Sequence, residues 1–280
     1  MDFAQTEPAL AVLRLAALFG DAEGEPDAET LAAMTTQTRD GVFAEVGPRE
    51  TWPELARALM ARRPGNAFGA LRDCGALAQV LPEVSVLFGV PQICDEPTPV
   101  DIGEHMLRAL DEAARCNAPL AARFALLVLN VGKADSPREH LPSHYRHIER
   151  GLPRVKAICE RFATPAECRD LAMLAVAECE RVHRVSTLRA GPVALLLERV
   201  GAFEASERFD RLMQVCACDY RAYGARSGAR YRKGELLEIA RAACAALAAA
   251  GAAEGDDAQT ARALAVAQAF RALGGADHAA

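Results

Sequence analysis

Aromatic residues are scarce in this sequence: ten Phe, four Tyr and a single Trp make up 5% of 280 residues. No segment sustains a two-residue alternation of valine, isoleucine and aromatics, so no strand is expected and a sheet protein is excluded. The nine cysteines stand singly, with no CxxC pair among them. That pattern excludes a zinc ribbon and reads as reduced, cytosolic thiols acting as small apolar side chains. Long apolar runs are missing too. The stretch Ala242 to Ala253 is alanine-rich and too short to cross a bilayer. The start, MDFAQTEPAL, has neither the basic residues nor the apolar core of a signal peptide. A soluble, cytoplasmic protein without a membrane partner is expected. Positive charge is also in deficit, the net charge being −6. This excludes a chain that coats nucleic acid over its whole surface, and no DNA partner is expected, although a local basic face is compatible with it.

Alanine and leucine fill the space left by the missing residue types, and both lose little entropy in a helix. Hydrophobic residues make up 51% of the chain and charged residues 25%, enough for a core and without a disorder signature. Leu10, Leu13, Ala17 and Leu18 mark an amphipathic stripe near the start. Thr164-Pro165-Ala166-Glu167 reads as a capping box that opens a helix continued by Leu171, Leu174 and Ala175. Asp256 with Gln259 opens a last helix, which Gly274 closes. Leu195, Leu196, Leu197, Val200 and Phe203 read as core, and Trp52 as a packing residue. Breakers lie at Gly20 to Asp27, at Gly89 to Pro99 and at Asp135 to Pro142. The expectation is an all-α protein in three parts: a helical neck bundle over 1–99, a central helical domain over 100–220, and a helical tail over 221–280.

One stretch, Phe68 to Pro91 (FGALRDCGALAQVLPEVSVLFGVP), closely resembles the neck-to-body junction of the HD-domain-containing bacterial CCA-adding tRNA nucleotidyltransferases, which carry "LR-CGAL-LPE-LFGVPQ". Other similarities follow in order along the chain. Pro8 to Phe19 resembles the start of that family's neck, and Trp52-Pro-Glu-Leu its "VWKEL" helix. Gly103-Glu-His105 resembles the helix that opens the HD domain, Leu141 to His147 the "PSH-GH" segment, Val182-His-Arg184 the "VHR" and Cys216 to Arg221 the "CEADARG" segment. The resemblance covers most of the chain to about Arg232. It implies a tRNA-handling protein, because in this family a head adds C, C and A to the tRNA 3′ end. In some members the HD domain hydrolyses phosphoesters.

The departures from the family pattern are chemical. The resemblance begins at the neck, so the head with its glycine-rich motif and magnesium-binding aspartates is expected to be absent. The "EDxxR" motif that reads the incoming base is Glu7-Pro-Ala-Leu-Ala11 here, without its Asp and Arg, and the basic residues usual at Ala11 and Ala17 are gone. The central "HDLGK" is Leu129-Asn-Val-Gly-Lys133, and a further histidine position is Cys179. Leucine cannot ligate a metal, and asparagine is a weaker ligand than aspartate. What the resemblance leaves for a weak divalent-metal site (nickel, manganese or magnesium) is His105, His144, His147 and Asp219. The HD domain is therefore expected to be degenerate, and no catalytic residue is assigned.

Arginines give the remaining candidates. Arg138, Arg146, Arg150, Arg154 and Lys156 recur from an exposed loop into a helix, and Arg146, Arg150 and Arg154 fall on one face. Arg221, Arg226, Arg230, Arg232 and Lys233 form a second cluster, interleaved with Tyr220, Tyr223 and Tyr231. Arginine with tyrosine suits phosphate contact and base stacking. The leading expectation is a tRNA- or structured-RNA-binding protein without nucleotidyl transfer of its own. An HD-type metal phosphohydrolase and a non-catalytic module for a separate protein partner are the alternatives.

Overall fold

The computed structural model describes residues 7–23, 27–94, 98–250 and 257–276. Fourteen α-helices account for nearly all of the regular structure among them, as the alanine- and leucine-rich composition dictates. The one departure from an all-helical chain is a pair of two-residue strands, β1 (Pro91–Gln92) and β2 (Val100–Asp101), antiparallel with Pro91 opposite Asp101. The chain divides into two compact units. The first holds residues 1–176 and 218–228, the second 177–217 and 229–280. The division cuts within α10 (Ala166–His183) and α12 (Ser206–Arg221).

In the first unit α1 (Pro8–Asp21) packs on α3 (Pro48–Met60) and α4 (Pro64–Asp73), and α4 packs on α7 (Ile102–Arg115). The face α1 buries is Ala9, Val12, Leu13, Ala16, Ala17 and Gly20. This is rotated from the stripe expected above. Leu18 is 62% exposed, because small alanines let α3 and α4 approach closely and so decide which side turns inward. Trp52 packs as expected, edge-on to Phe124 at 5.4 Å. The core of this unit is completed by Leu55, Leu59, Phe68, Leu71, Leu77 and Ile102, all essentially buried.

Two backbone contacts tie these helices together. Arg123 in α8 (Leu120–Val128) is 5% exposed, and its guanidinium donates to Leu59 O at 2.8 Å, Ala61 O at 2.9 Å and Ala118 O at 2.9 Å. Two of those carbonyls lie at the C-terminal end of α3, where backbone acceptors lack helical partners. Gly132 lies against α9 (His147–Phe162) so closely that a β-carbon there would overlap the His147 carbonyl and come within 2.6 Å of Gly151 N.

The second unit packs α11 (Ala190–Arg199), α13 (Arg232–Ala249) and α14 (Ala258–Ala276) on one another. Phe209, Leu212, Val215, Leu237 and Val266 are buried in it. Three sequence expectations need correction. The hydroxyl of Thr164 makes no capping bond to α10, which starts at Ala166. Gly274 does not close the last helix, which continues to Ala276, while Asp256 lies outside the described residues. Leu195 is 41% exposed instead of buried. No helix among the described residues is long and apolar enough to cross a membrane.

Replacing Arg123 by methionine keeps the bulk and removes all three donors. The carbonyls left behind are shielded from water, so Arg123→Met should lower unfolding free energy by about 2–4 kcal/mol. Arg123→Lys should recover only part of that, since an ammonium lacks the planar fork. Urea titration followed by circular dichroism measures both, and an unchanged midpoint for Arg123→Met would contradict the pinning role.

Candidate functional site

The two ends of the expected metal set come together. Asp101 caps α7, accepting from Glu104 N at 2.9 Å, and this fixes His105 one turn into the helix. His105 is fully buried, and its Nε2 lies 2.9 Å from Oδ1 of Asp219 on α12. Arg108, also on α7, donates from Nε to Ala222 O at 2.9 Å and holds α12 in that register. The imidazole lies 4.1 Å, centroid to centroid, from the Tyr223 ring. A polar chain leads outward from there: Gln92 donates to Tyr223 Oη at 3.0 Å, and Lys133 donates to Gln92 Oε1 at 2.8 Å. Nδ1 of His105 is buried with no hydrogen-bond partner.

The other two histidines serve the backbone. His144 accepts at Nδ1 from Ser136 Oγ (2.8 Å) and donates from Nε2 to Pro91 O (2.9 Å), so neither ring nitrogen is open to a metal. His147 donates from Nδ1 to His144 O at 2.7 Å. Among the described residues, no three of these four side chains bring ligand atoms within 4.8 Å of one another. Leu129 and Asn130, at the expected His-Asp positions, are buried at 8% and 7% exposure. Their segment is kept for packing: Gly132 meets α9 and Lys133 holds Gln92. These four side chains do not assemble a divalent-metal hydrolase centre.

The thiols behave as small apolar groups. Cys116 and Cys218 touch at 3.6 Å in the first unit, and Cys179 and Cys216 at 3.4 Å in the second. Contact with Cys116, and then burial, raises the Cys218 thiol far above its ordinary value, and Cys216 and burial do the same to Cys179. Burial pushes Cys168 up to about 12. Thiols of this kind stay protonated and are poor nucleophiles.

The arginines expected to hold RNA fall into two groups. Arg150 donates to Gly132 O (3.0 Å), Tyr145 O (2.8 Å) and Ser136 Oγ (3.1 Å). Arg154 donates to Val131 O at 2.8 Å and pairs with Asp135. Both hold the 131–145 segment against α9. Arg146 is different: 65% exposed, its side chain approaches, among the described residues, only Glu149, at 3.8 Å. In the second cluster Arg226 stacks over Tyr220 and Tyr223, at 4.7 and 5.6 Å from their centroids. Arg230 is answered by Glu235 through two bonds of 2.8 and 2.9 Å, and Arg232 starts α13. Arg226 belongs to the first unit and Arg230 and Arg232 to the second.

Sequence reasoning missed a third group. Arg181, Arg184, Arg189 and Arg199 edge a groove of about 640 Å³ within the second unit, over an apolar wall that includes Leu195. Nothing in the sequence signalled it, because Leu195, 41% exposed in the structure, sits in an apolar run that reads as core.

No family model matches the chain. Three multifunctional CCA proteins are similar to it: 44% identical over 210 residues in Laribacter hongkongensis, 40% over 238 in Paraburkholderia phymatum, and 43% over 212 in Acidovorax sp. strain JS42. These alignments take in 75%, 85% and 76% of this chain but 51%, 57% and 49% of those proteins. The chain thus spans about half the length of the relatives it matches.

Burial, followed by the charge of Lys133 and then that of His147, holds His144 below its usual value of 6.5, against the opposing bond to Pro91 O. The unfolded chain therefore binds this proton more readily than the folded one. The stability that neutral His144 supplies is complete above pH 6.5 and is lost as pH falls through the lowered folded value. His144→Gln keeps a donor for Pro91 O and removes the titration. Between pH 7.5 and 5 the wild-type urea midpoint should fall further than that of the variant, and parallel profiles would refute the assignment.

Proposed function

As a relative of the multifunctional CCA proteins over the portion they share, this chain, we propose, binds tRNA or a similarly structured RNA and carries no nucleotidyl-transfer chemistry within its 280 residues. The observation that carries the proposal is identity of 40–44% sustained over 75–85% of the chain. Positions 7–11, on the first turn of α1, offer one carboxylate and no arginine, so the base-reading pair of the resembled family has no counterpart there. Two-metal phosphoryl transfer needs clustered carboxylates to hold the ions. We assign that chemistry to none of the residues described.

The divalent-metal expectation reduces to the His105–Asp219 pair. With Leu129 buried where an imidazole would be needed, no hydrolytic step is drawn through it. The RNA contact we propose is electrostatic and reads shape through backbone phosphates. Of the arginines anticipated for it, Arg146 is the best placed, with 65% of its side chain exposed. Arg150 and Arg154 are spent on backbone carbonyls, and Arg230 is paired with Glu235.

The test is a fluorescence titration of labelled tRNA across a salt series. Affinity should fall steeply with salt, with log K declining by about 0.7–0.9 per tenfold rise in salt for each phosphate contact. Arg146→Glu should weaken every tRNA alike, because phosphate contacts carry no sequence information. Incubation with labelled CTP or ATP and magnesium should give no extended tRNA. Absence of tRNA binding at low salt would remove the reading, and template-faithful extension would remove its non-catalytic half.

A further inference from the structure

The groove of the second unit collects cationic side chains from three places. Arg181 and Arg184 lie at and just past the end of α10, Arg189 in the loop that follows, and Arg199 at the end of α11. Two carboxylates answer these four. Glu178, itself 5% exposed, is 3.1 Å from Arg181 and 3.8 Å from Arg199. Glu180 is 2.8 Å from Arg184 in a pair whose arginine is 74% exposed, and a pair that open to water is weak. The exposed side chain of Arg189 makes no hydrogen bond or ion pair among the described residues. On the opposite wall the first turns of α11 and α14 hold no acid, and Asp257, just before α14, does not line the groove. The rim is therefore net cationic in a protein whose overall charge is −6.

Beneath this rim the wall is apolar, and Leu195 presents 41% of its surface to the cavity and solvent. A cationic rim over an apolar wall matches a ligand with an anionic end and a flat apolar body. A nucleotide has that form. Its phosphate accepts paired N–H bonds from guanidinium groups, and its base has a face that stacks on apolar or guanidinium surface. The cavity, about 640 Å³, accommodates one such unit. We propose that this groove takes one nucleotide unit of the RNA chain, with the phosphate between Arg184 and Arg189 and the base against Leu195. The inference rests on the RNA-binding reading above and places a principal contact of that RNA in the second unit.

Arg184→Glu with Arg189→Glu tests it. Both side chains are exposed, so a thermal melt should match wild type. In a tRNA titration across salt, the double variant should bind at least about tenfold more weakly, and its salt slope should flatten by about 0.7–0.9 for each phosphate it no longer neutralises. Arg146→Glu, in the first unit, serves as the comparison and should cost less. A competition arm with CMP separates an RNA nucleotide from a free one. Wild-type protein that binds tRNA no more tightly than the double variant overturns the groove and leaves the RNA reading standing. Wild-type protein that ignores tRNA overturns that reading. CMP binding that then disappears in the double variant reassigns the groove to a free nucleotide and overturns the RNA source proposed here.

Discussion

The guanidinium of Arg123 is nearly excluded from water and has no carboxylate partner among the described residues, yet the packing of the first unit turns on it. Burial lowers its proton affinity below the ordinary arginine value, and an arginine has so much margin that the charge survives. What compensates it is a set of carbonyl dipoles: Leu59 O and Ala61 O at the end of α3 and Ala118 O before α8. The C-terminal end of a helix carries a partial negative charge, so the same contact satisfies the orphan acceptors and the cation. Trp52 on α3 meets Phe124, the residue next to Arg123, and the apolar and polar halves of the α3–α8 contact thereby enforce one register.

The central segment is built around packing. Leu129 and Asn130 are buried, and Gly132 admits α9 at a distance no side chain would allow. Lys133 reaches Gln92, which holds Tyr223 over the His105 ring. His105 and Asp219 keep each other satisfied at one nitrogen, and breaking either side would strand a buried polar group. That cost gives the pair a structural reason to persist with no metal step assigned to it.

Charge is distributed on the same logic. Many arginines are used to fasten loops: Arg150 and Arg154 hold the 131–145 segment, and Arg161 grips Glu83 through bonds of 2.5 and 2.8 Å. An arginine so engaged has few donors left for a phosphate. Those open to an external anion are the ones at the edges, Arg146 in the first unit and the Arg184 and Arg189 rim in the second.

The all-helical class, the apolar burial of Leu171, Leu174 and Ala175, the packing of Trp52 and the inert thiols were legible in the sequence, because each follows from residue type and spacing alone. So was the kinship with the CCA proteins, which the string from Phe68 to Pro91 carries. The sequence could not say which arginines were available. Arg146, Arg150 and Arg154 look equivalent at four-residue spacing, yet only the first lacks a carbonyl to bind, and that depends on where the 131–145 loop folds back. Nor could it place His144, whose two nitrogens are taken by Ser136 and by a carbonyl 53 residues away. Residue chemistry fixes what a side chain is able to do, and local periodicity fixes the helix that carries it. Which partner it meets is a long-range matter, settled when helices with alanine-lined faces close on one another and leave each polar atom a single place to go.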